Sequence, residues 1–555
     1  MDEIAADLVL DNGRILTLDP RRPSAAALAV AGGCIAVTGG RGDVKRWRDR
    51  HTRVIDLRGA TVIPGLVDAH AHLDREGLKY VYPSLEKIRS IADLQALIRR
   101  LASRTPRGEW IVTMPLGQPP FYLDQPKSLA EGRWPTRHDL DAAAPDHPVY
   151  IRGIWGYWNR PPVYSVASSL ALARAGIDRD TRPPGGVEIE RDAAGEPTGV
   201  LVEHNLVQVM EATLMRAAPR FTHAMRLRAL VDSQRRYARW GVTGVYEGHG
   251  VAPELLRVYR ESHERGELAL RCVLALSPTW PGAEEGARAI ADLSAWAGGR
   301  GTGDDRLRVS GIALHWGGDA EVAHHLHAAQ PYTAWAGFVE SANTPESYAA
   351  QAEACARHGV RVNTIVTRSL PQVLEAWEAV AARQPIRELR WTAVHLHGAS
   401  ADELTRLRQL GAVATTNPIS YLWRSGAAEA ARLGAERLIP HRSLARLRLP
   451  FGLATDNKPP NPWLAFAAAV ARRDMTTGDV LGPRERLPRE AALRALTRGG
   501  AYVCADERAR GTLAVGQLAD LAVLELDPLA APLDELTEAP ARLTLVGGEI
   551  AHGAA

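Results

Sequence analysis

The chain has 555 residues, 46% hydrophobic and 24% charged, with 67 basic against 64 acidic side chains and a formal net charge of +3. That length exceeds one small core and predicts a large α/β domain with an accessory one. The balance of charge excludes the basic footprint of a nucleic-acid or anionic-membrane binder, and no apolar run approaches the length that spans a bilayer. Four scattered cysteines, Cys34, Cys272, Cys355 and Cys504, form no Cys-x-x-Cys and give no disulfide framework, which predicts a cytoplasmic location. The opening Met-Asp-Glu-Ile-Ala-Ala-Asp is acidic and lacks the regions of a signal peptide.

The first sixty residues read as β. Asp7-Leu8-Val9-Leu10, the turn Asp11-Asn12-Gly13 and Arg14-Ile15-Leu16-Thr17-Leu18 predict a hairpin. Ala26-Leu28-Val30, then Gly32-Gly33, then Ile35-Val37 predict a second, and Val54-Ile55-Asp56-Leu57 a further strand. The basic run Lys45-Arg46-Trp47-Arg48-Asp49-Arg50 is interrupted by acid and reads as a solvated face. Residues 516–524 and 543–550 carry similar β material at the other end. The expectation is a small composite β-sandwich from residues 1–60 and 508–555, flanking a central domain of residues 61–507.

That central domain opens on the most informative stretch, Val-Ile-Pro-Gly-Leu-Val-Asp-Ala-His-Ala-His-Leu at residues 62–73. In an extended strand, residues i and i+2 share a face, so His70 and His72 would present two imidazoles together. Imidazole is a preferred ligand of zinc and similar divalent ions. Residues 75–220 are rich in Pro and Trp and read as a large insertion. Beyond a helix at 223–240, short apolar strands alternate with amphipathic helices. The strands fall near residues 241–246, 268–274, 309–314, 360–364, 391–395, 412–416 and 451–455. With the strand at 62–69 they make eight, which predicts a (β/α)8 barrel.

The chain resembles the amidohydrolase superfamily and, within it, the amidohydrolase-3 group. The resemblance is carried by Gly-Leu-Val-Asp-Ala-His-Ala-His at 65–72 and Leu-Asp-Ala-Ala-Ala-Pro-Asp-His-Pro-Val at 140–149. It extends to Gly-Glu-Pro-Thr-Gly-Val-Leu-Val-Glu at 195–203 and Gly-Gln-Leu-Ala-Asp-Leu at 516–521. It implies a metal-bearing barrel with a composite β-sandwich that hydrolyses C–N bonds. It also implies a metal set of His70, His72, His395 and Asp456, with Asp456 and His395 as the catalytic pair. Two positions depart from the family pattern. Ala313 stands where strand four usually offers a bridging ligand, and Asn363 where strand five usually offers a histidine. The remaining four residues suffice for one divalent ion with an open position for water. Zinc is the first expectation, with iron, manganese and cobalt open. The family is also compatible with a homodimer.

Residues at strand ends are the further candidates, because barrel chemistry sits there. Expected substrate contacts are His397, Glu247, His249, His315, Asn363, Trp316, Asn457 and Lys458. His315 is also weighed as a partial substitute for the strand-four ligand, and His249 as a ligand. His324, His325 and His327 scatter around a helix and read as surface. Fourteen tryptophans against five phenylalanines fit an aromatic or apolar pocket. The resulting expectation is a hydrolase of an amide or related C–N bond in a small molecule, using a metal-activated water with Asp456 as base. Two alternatives stay open: other metal chemistry on the same barrel, such as deamination, decarboxylation or isomerisation, and a metal-free ligand-binding descendant.

Overall fold

Eight parallel strands run in sequence order around the barrel of the computed structural model, which describes residues 5–122, 128–159, 161–280 and 282–554. The acidic opening at residues 1–4 lies outside the described residues. Barrel strands one to eight are Leu66–Asp68, Val242–Val251, Arg271–Leu276, Leu307–Ala313, Val362–Ile365, Thr392–Val394, Val413–Thr416 and Phe451–Leu453. Each pairs in parallel with the next; Ala313, for example, stands opposite Asn363. Strand eight closes on strand one through Ala69 N–H to Leu453 O (3.2 Å) and Asp456 N–H to His70 O (3.0 Å). The expected eight-strand barrel is therefore observed, but its first strand, expected at 62–69, is split: Thr61–Pro64 pairs in the accessory sheet and only Leu66–Asp68 enters the barrel, the chain changing sheets at Gly65. Its strands read as nearly continuous apolar runs because helices cover them outside and side chains fill them inside.

The helices form where the 3.6-residue period brings apolar side chains onto one face. In Ala401–Leu410 these are Leu404, Leu407 and Leu410, all buried. Ser400 caps that helix by accepting from Glu403 N–H, and the Glu403 side chain returns to the Ser400 backbone. This reciprocal arrangement satisfies two otherwise orphaned amide donors. His223–Ala238 starts with a one-way cap, Thr222 accepting from Met225 N–H.

Both termini build the accessory sandwich. One sheet holds Leu8–Asp11, Ala27–Ala31, Cys34–Gly39 and Arg53–Asp56. The other combines Arg14–Leu16, Ser24–Ala25 and Thr61–Pro64 with Leu521–Leu524, Leu543–Val546 and Glu549–Gly553. The second expected hairpin is present, Ala27–Ala31 antiparallel to Cys34–Gly39. The first is not. Leu8–Asp11 pairs with Ala27–Ala31 and Arg53–Asp56, whereas Arg14–Leu16 pairs in the opposite sheet. The Asn12-Gly13 turn, with Asn12 at φ 61°, is thus a corner between sheets. Gly13 has no room for a side chain, since a Cβ there would lie 2.3 Å from Leu57 Cδ1.

The insertion has a sheet of its own, in the order Val187–Arg191, Pro197–Glu203, Val163–Ala167, Val149–Ile151 and Ile111–Thr113. Its importance for function lies in the segment after Val149–Ile151, which delivers Trp155, Gly156 and Tyr157 to the wall of the cavity over the barrel. Among the described residues, no helix is long and apolar enough to cross a membrane.

Candidate metal centre

His70 and His72 follow barrel strand one rather than extend it: the strand ends at Asp68, and both histidines are fully buried just beyond. Their rings meet edge to face with centroids 4.8 Å apart. The Asp68 carboxylate holds the bend. It accepts from His70 N–H and Thr455 N–H, both at 3.1 Å, and from Thr455 Oγ1 at 2.5 Å. Strand one is thereby fastened to the segment after strand eight. Burial of Asp68 pushes its carboxyl up to about 7, against the pull of those hydrogen bonds.

Asn457 completes the clamp. Its Oδ1 accepts from His72 N–H (2.9 Å) and Tyr237 Oη (2.6 Å), and its Nδ2 donates to His72 O (2.8 Å) and Glu76 (3.1 Å). With its amide fully used and its side chain buried, Asn457 positions His72. Asn363 is spent in the same way. It accepts from Tyr246 Oη (2.5 Å) and donates to Ile312 O (3.1 Å). Neither residue lines the cavity.

Asp456 follows barrel strand eight and stands at the centre of the cluster. Its Oδ1 lies 2.8 Å from His72 Nε2 and 3.8 Å from His70 Nε2. Its Oδ2 accepts from Lys458 Nζ (2.6 Å) and Asn417 Nδ2 (3.0 Å), and lies 3.7 Å from His395 Nε2. Asp456, Asn457 and His395 all adopt the left-handed backbone region, at φ 53°, 57° and 57°. Non-glycine residues held there cost about 1–3 kcal/mol each, and such strain clusters at working sites. The backbone bond from Asp456 N–H to His70 O and the bond that His395 N–H donates to Thr415 Oγ1 (3.3 Å) keep these turns in place.

The electrostatics favour a cation. Burial opposes ionisation of Asp456, but Lys458, His395 and His72 outweigh it and hold its carboxyl well below the usual range. Burial, aided by neighbouring imidazoles, drives His70 well below its ordinary value. Burial likewise takes His395 down to about 4, partly offset by Asp456. Both rings are therefore neutral at physiological pH, with lone pairs free to bind a metal. His72 behaves differently: burial and Arg75 lower it, but Glu247 and Asp456 raise it overall.

Unmatched donor atoms test whether a metal suits the site. His70 Nδ1 and Nε2, His249 Nε2 and His395 Nε2 are buried without a hydrogen-bond partner among the described residues. What sets these orphans apart is that they converge on one point, as the ligands of an ion would. His70, His395 and Asp456 bring donor atoms within 4.8 Å of one another, and His70, His72 and His249 do the same. The donors fit a divalent ion of the zinc type.

Glu247 sits behind His72, its Oε1 in short contact with Nδ1. It is fully buried and does not line the cavity. A carboxylate on one ring nitrogen fixes the tautomer and orients the other nitrogen. Glu247→Gln is expected to weaken metal binding by about 10- to 100-fold, since the acceptor remains but the charge is lost. Competition against a chromophoric chelator measures this, and an unchanged affinity would deny Glu247 the role.

The centre opens into a cavity of about 580 Å³. His249, His395, Asp456, Lys458, His315 and Trp316 line it together with the aromatic side chains of Trp155, Tyr157 and Tyr421. Of the expected substrate contacts, then, His249, His315, Trp316 and Lys458 line the cavity. His397 does not. It stacks on Tyr421 (centroids 4.4 Å) and pairs with Glu429 (3.2 Å). Sequence reasoning missed Asn417 and Glu340. Asn417 follows barrel strand seven directly, a position that signals function in this fold. Glu340, 3.5 Å from His315, lies in an irregular segment with no such signal.

Comparison with known proteins agrees with this geometry. Residues 53–552 match the sequence profile described as "Amidohydrolase family". The chain is 26% identical over 575 residues to N-substituted formamide deformylase of Arthrobacter pascens, covering 98% of both chains. It is 25% identical over 549 residues to Protein LONG AFTER FAR-RED 3 of Arabidopsis thaliana, covering 94% of this chain and 87% of that one. Its fold is similar to that of an uncharacterized metal-dependent hydrolase from Pyrococcus furiosus. There the TM-score is 0.69 at 23% identity, over 94% of this chain and 100% of the other.

Proposed function

The chain belongs to the amidohydrolase family, a metal-dependent hydrolase acting on C–N bonds, and on that premise we propose that it cleaves an amide of a small molecule with an aromatic or apolar body. The observation that carries this reading is the convergence of the unpartnered imidazole nitrogens of His70 and His395 on Asp456, beneath an aromatic-walled cavity. His70, His72, His395 and Asp456 would hold one divalent ion, with zinc the best match to three imidazoles and a carboxylate. When bound, that ion acidifies a water and polarises the substrate carbonyl.

Asp456 takes the proton of the attacking water and passes it to the leaving nitrogen as the C–N bond breaks. Lys458 and Asn417 hold its Oδ2, which fixes the plane of the carboxylate and keeps it ionised. Trp155, Tyr157 and Tyr421 pack against the apolar part of the substrate and exclude water from the reacting bond. Four free cysteines support a reducing compartment.

N-substituted formamides, the substrates in the name of the Arthrobacter relative, are the first class to screen, followed by aryl and arylalkyl amides of larger acids. Mass spectrometry should find acid and amine in equal amounts. Ammonia from a ring, carbon dioxide or an isomer in their place would overturn the proposal in favour of other metal chemistry.

A further inference from the structure

We propose that His249, beyond the reach of the usual ligand positions, binds the metal of this centre and supplies the imidazole that barrel strand five lacks. The inference rests on the hydrolase reading above and names a ligand within that site. His249 lies in barrel strand two, Val242–Val251, and shares with His70 and His72 a set of donor atoms within 4.8 Å of one another. The residue is 3% exposed, and its Nε2 is buried with no partner among the described residues. The ring is held in place: it stacks on Phe338 (centroids 4.1 Å, 21° between planes) and meets Tyr157 edge-on at 5.9 Å. A buried, oriented imidazole with an unpartnered nitrogen and a donor atom within 4.8 Å of two other imidazoles has the properties of a ligand.

The other replacements do not serve. Asn363 spends its amide on Tyr246 and Ile312, as described. His315 pairs with Glu340 and meets the ring of His249, but among the described residues it makes no ring contact with His70 or His72.

Backbone geometry explains why strand two delivers this side chain. Glu247 stands opposite Leu274 on strand three, and Val251 opposite Leu276. Strand two therefore uses four steps where its neighbour uses two, and the extra residues bulge. Gly250, at φ 95°, makes the bulge possible. A Cβ there would lie 3.0 Å from Ala313 Cβ and 3.1 Å from Ser277 N. The bulge thus occupies the space over Ala313, where a longer strand-four side chain would extend. The small residue at 313 and the histidine at 249 are two parts of one steric exchange.

The test uses the full-length chain stripped with chelator and reloaded with Co2+ or Zn2+ alone, in wild type, His249→Ala, His249→Gln and His315→Ala. Affinity is read by competition with a chromophoric chelator, and the coordination sphere by the visible d–d bands of Co2+. His249→Ala should lose at least about 100-fold in affinity, beyond the effect of an outer partner, and its d–d bands should shift. His315→Ala, at a residue that meets only the ring of His249 among the described imidazoles of the centre, should lose clearly less affinity than His249→Ala and keep its d–d bands. Should His249→Ala fail to fold, His249→Gln keeps most of the side-chain volume and reads the same quantities. Unchanged affinity and bands in a folded His249 variant, with only KM raised, would overturn the proposal and make His249 a substrate contact. A wild-type chain that takes up no metal would overturn the hydrolase reading itself, a failure distinct from that one.

Discussion

Asp456→Asn is expected to lower kcat by about 10³- to 10⁴-fold, the upper range for loss of a general acid–base group. The carboxylate has two tasks, accepting the water's proton and delivering it to nitrogen, and an amide does neither. The surroundings sharpen the effect. Oδ2 now accepts from Lys458 Nζ at 2.6 Å and Asn417 Nδ2 at 3.0 Å, while Oδ1 lies 2.8 Å from His72 Nε2. An asparagine must turn its NH2 toward one of these sides. Toward Lys458 and Asn417 it meets two donors; toward His72 it gives up the anionic edge that faces the imidazoles. The fold should survive, because the backbone bond from residue 456 to His70 O does not depend on the side chain. Steady-state kinetics at saturating metal, with circular dichroism to confirm folding, measure the loss. A variant within tenfold of wild type would remove Asp456 from the proton path.

The barrel was legible because its evidence is local. Each strand is a short apolar run bounded by turn residues, and the helices between carry a clear period. His70 and His72 stood out by spacing, and His395 and Asp456 through the family resemblance at strands six and eight. What escaped was pairing and occupancy. Asn12-Gly13 has the composition of a hairpin turn, but the partner of Leu8–Asp11 is chosen by burial against distant strands, and the turn became a corner. Asn363, Asn457 and Glu247 sit at the ends of the expected strands. Sequence cannot tell that the amides of Asn363 and Asn457 are already spent on Tyr246, Ile312, His72 and Glu76, or that one oxygen of Glu247 is held against His72. His249 depends on a bulge, and a bulge is a relation between two strands.

His70→Ala should remove the metal altogether. The ring of His70 is the hub of the cluster, with centroids 4.4 Å from His395, 4.8 Å from His72 and 6.1 Å from His249. Both His70-His72-His249 and His70-His395-Asp456 include it, so one substitution breaks both. Elemental analysis after dialysis should give about one ion per chain for wild type and less than about a tenth for the variant. Turnover should fall to background. Stability gives an independent reading. In the metal-free protein both nitrogens of His70 are buried without partners, and each such atom costs about 1–3 kcal/mol. Alanine relieves that cost while leaving a small void, so the metal-free variant should melt within a few degrees of metal-free wild type. Added zinc at about 100 times its Kd should stabilise wild type by about 2.7 kcal/mol through mass action. The variant should gain nothing. His397→Ala, which alters the same mouth of the barrel but a residue committed to Tyr421 and Glu429, should keep both the metal and the zinc-dependent gain. A His70 variant that retained a full equivalent of metal would place the ion elsewhere in the chain and dismantle the site described here.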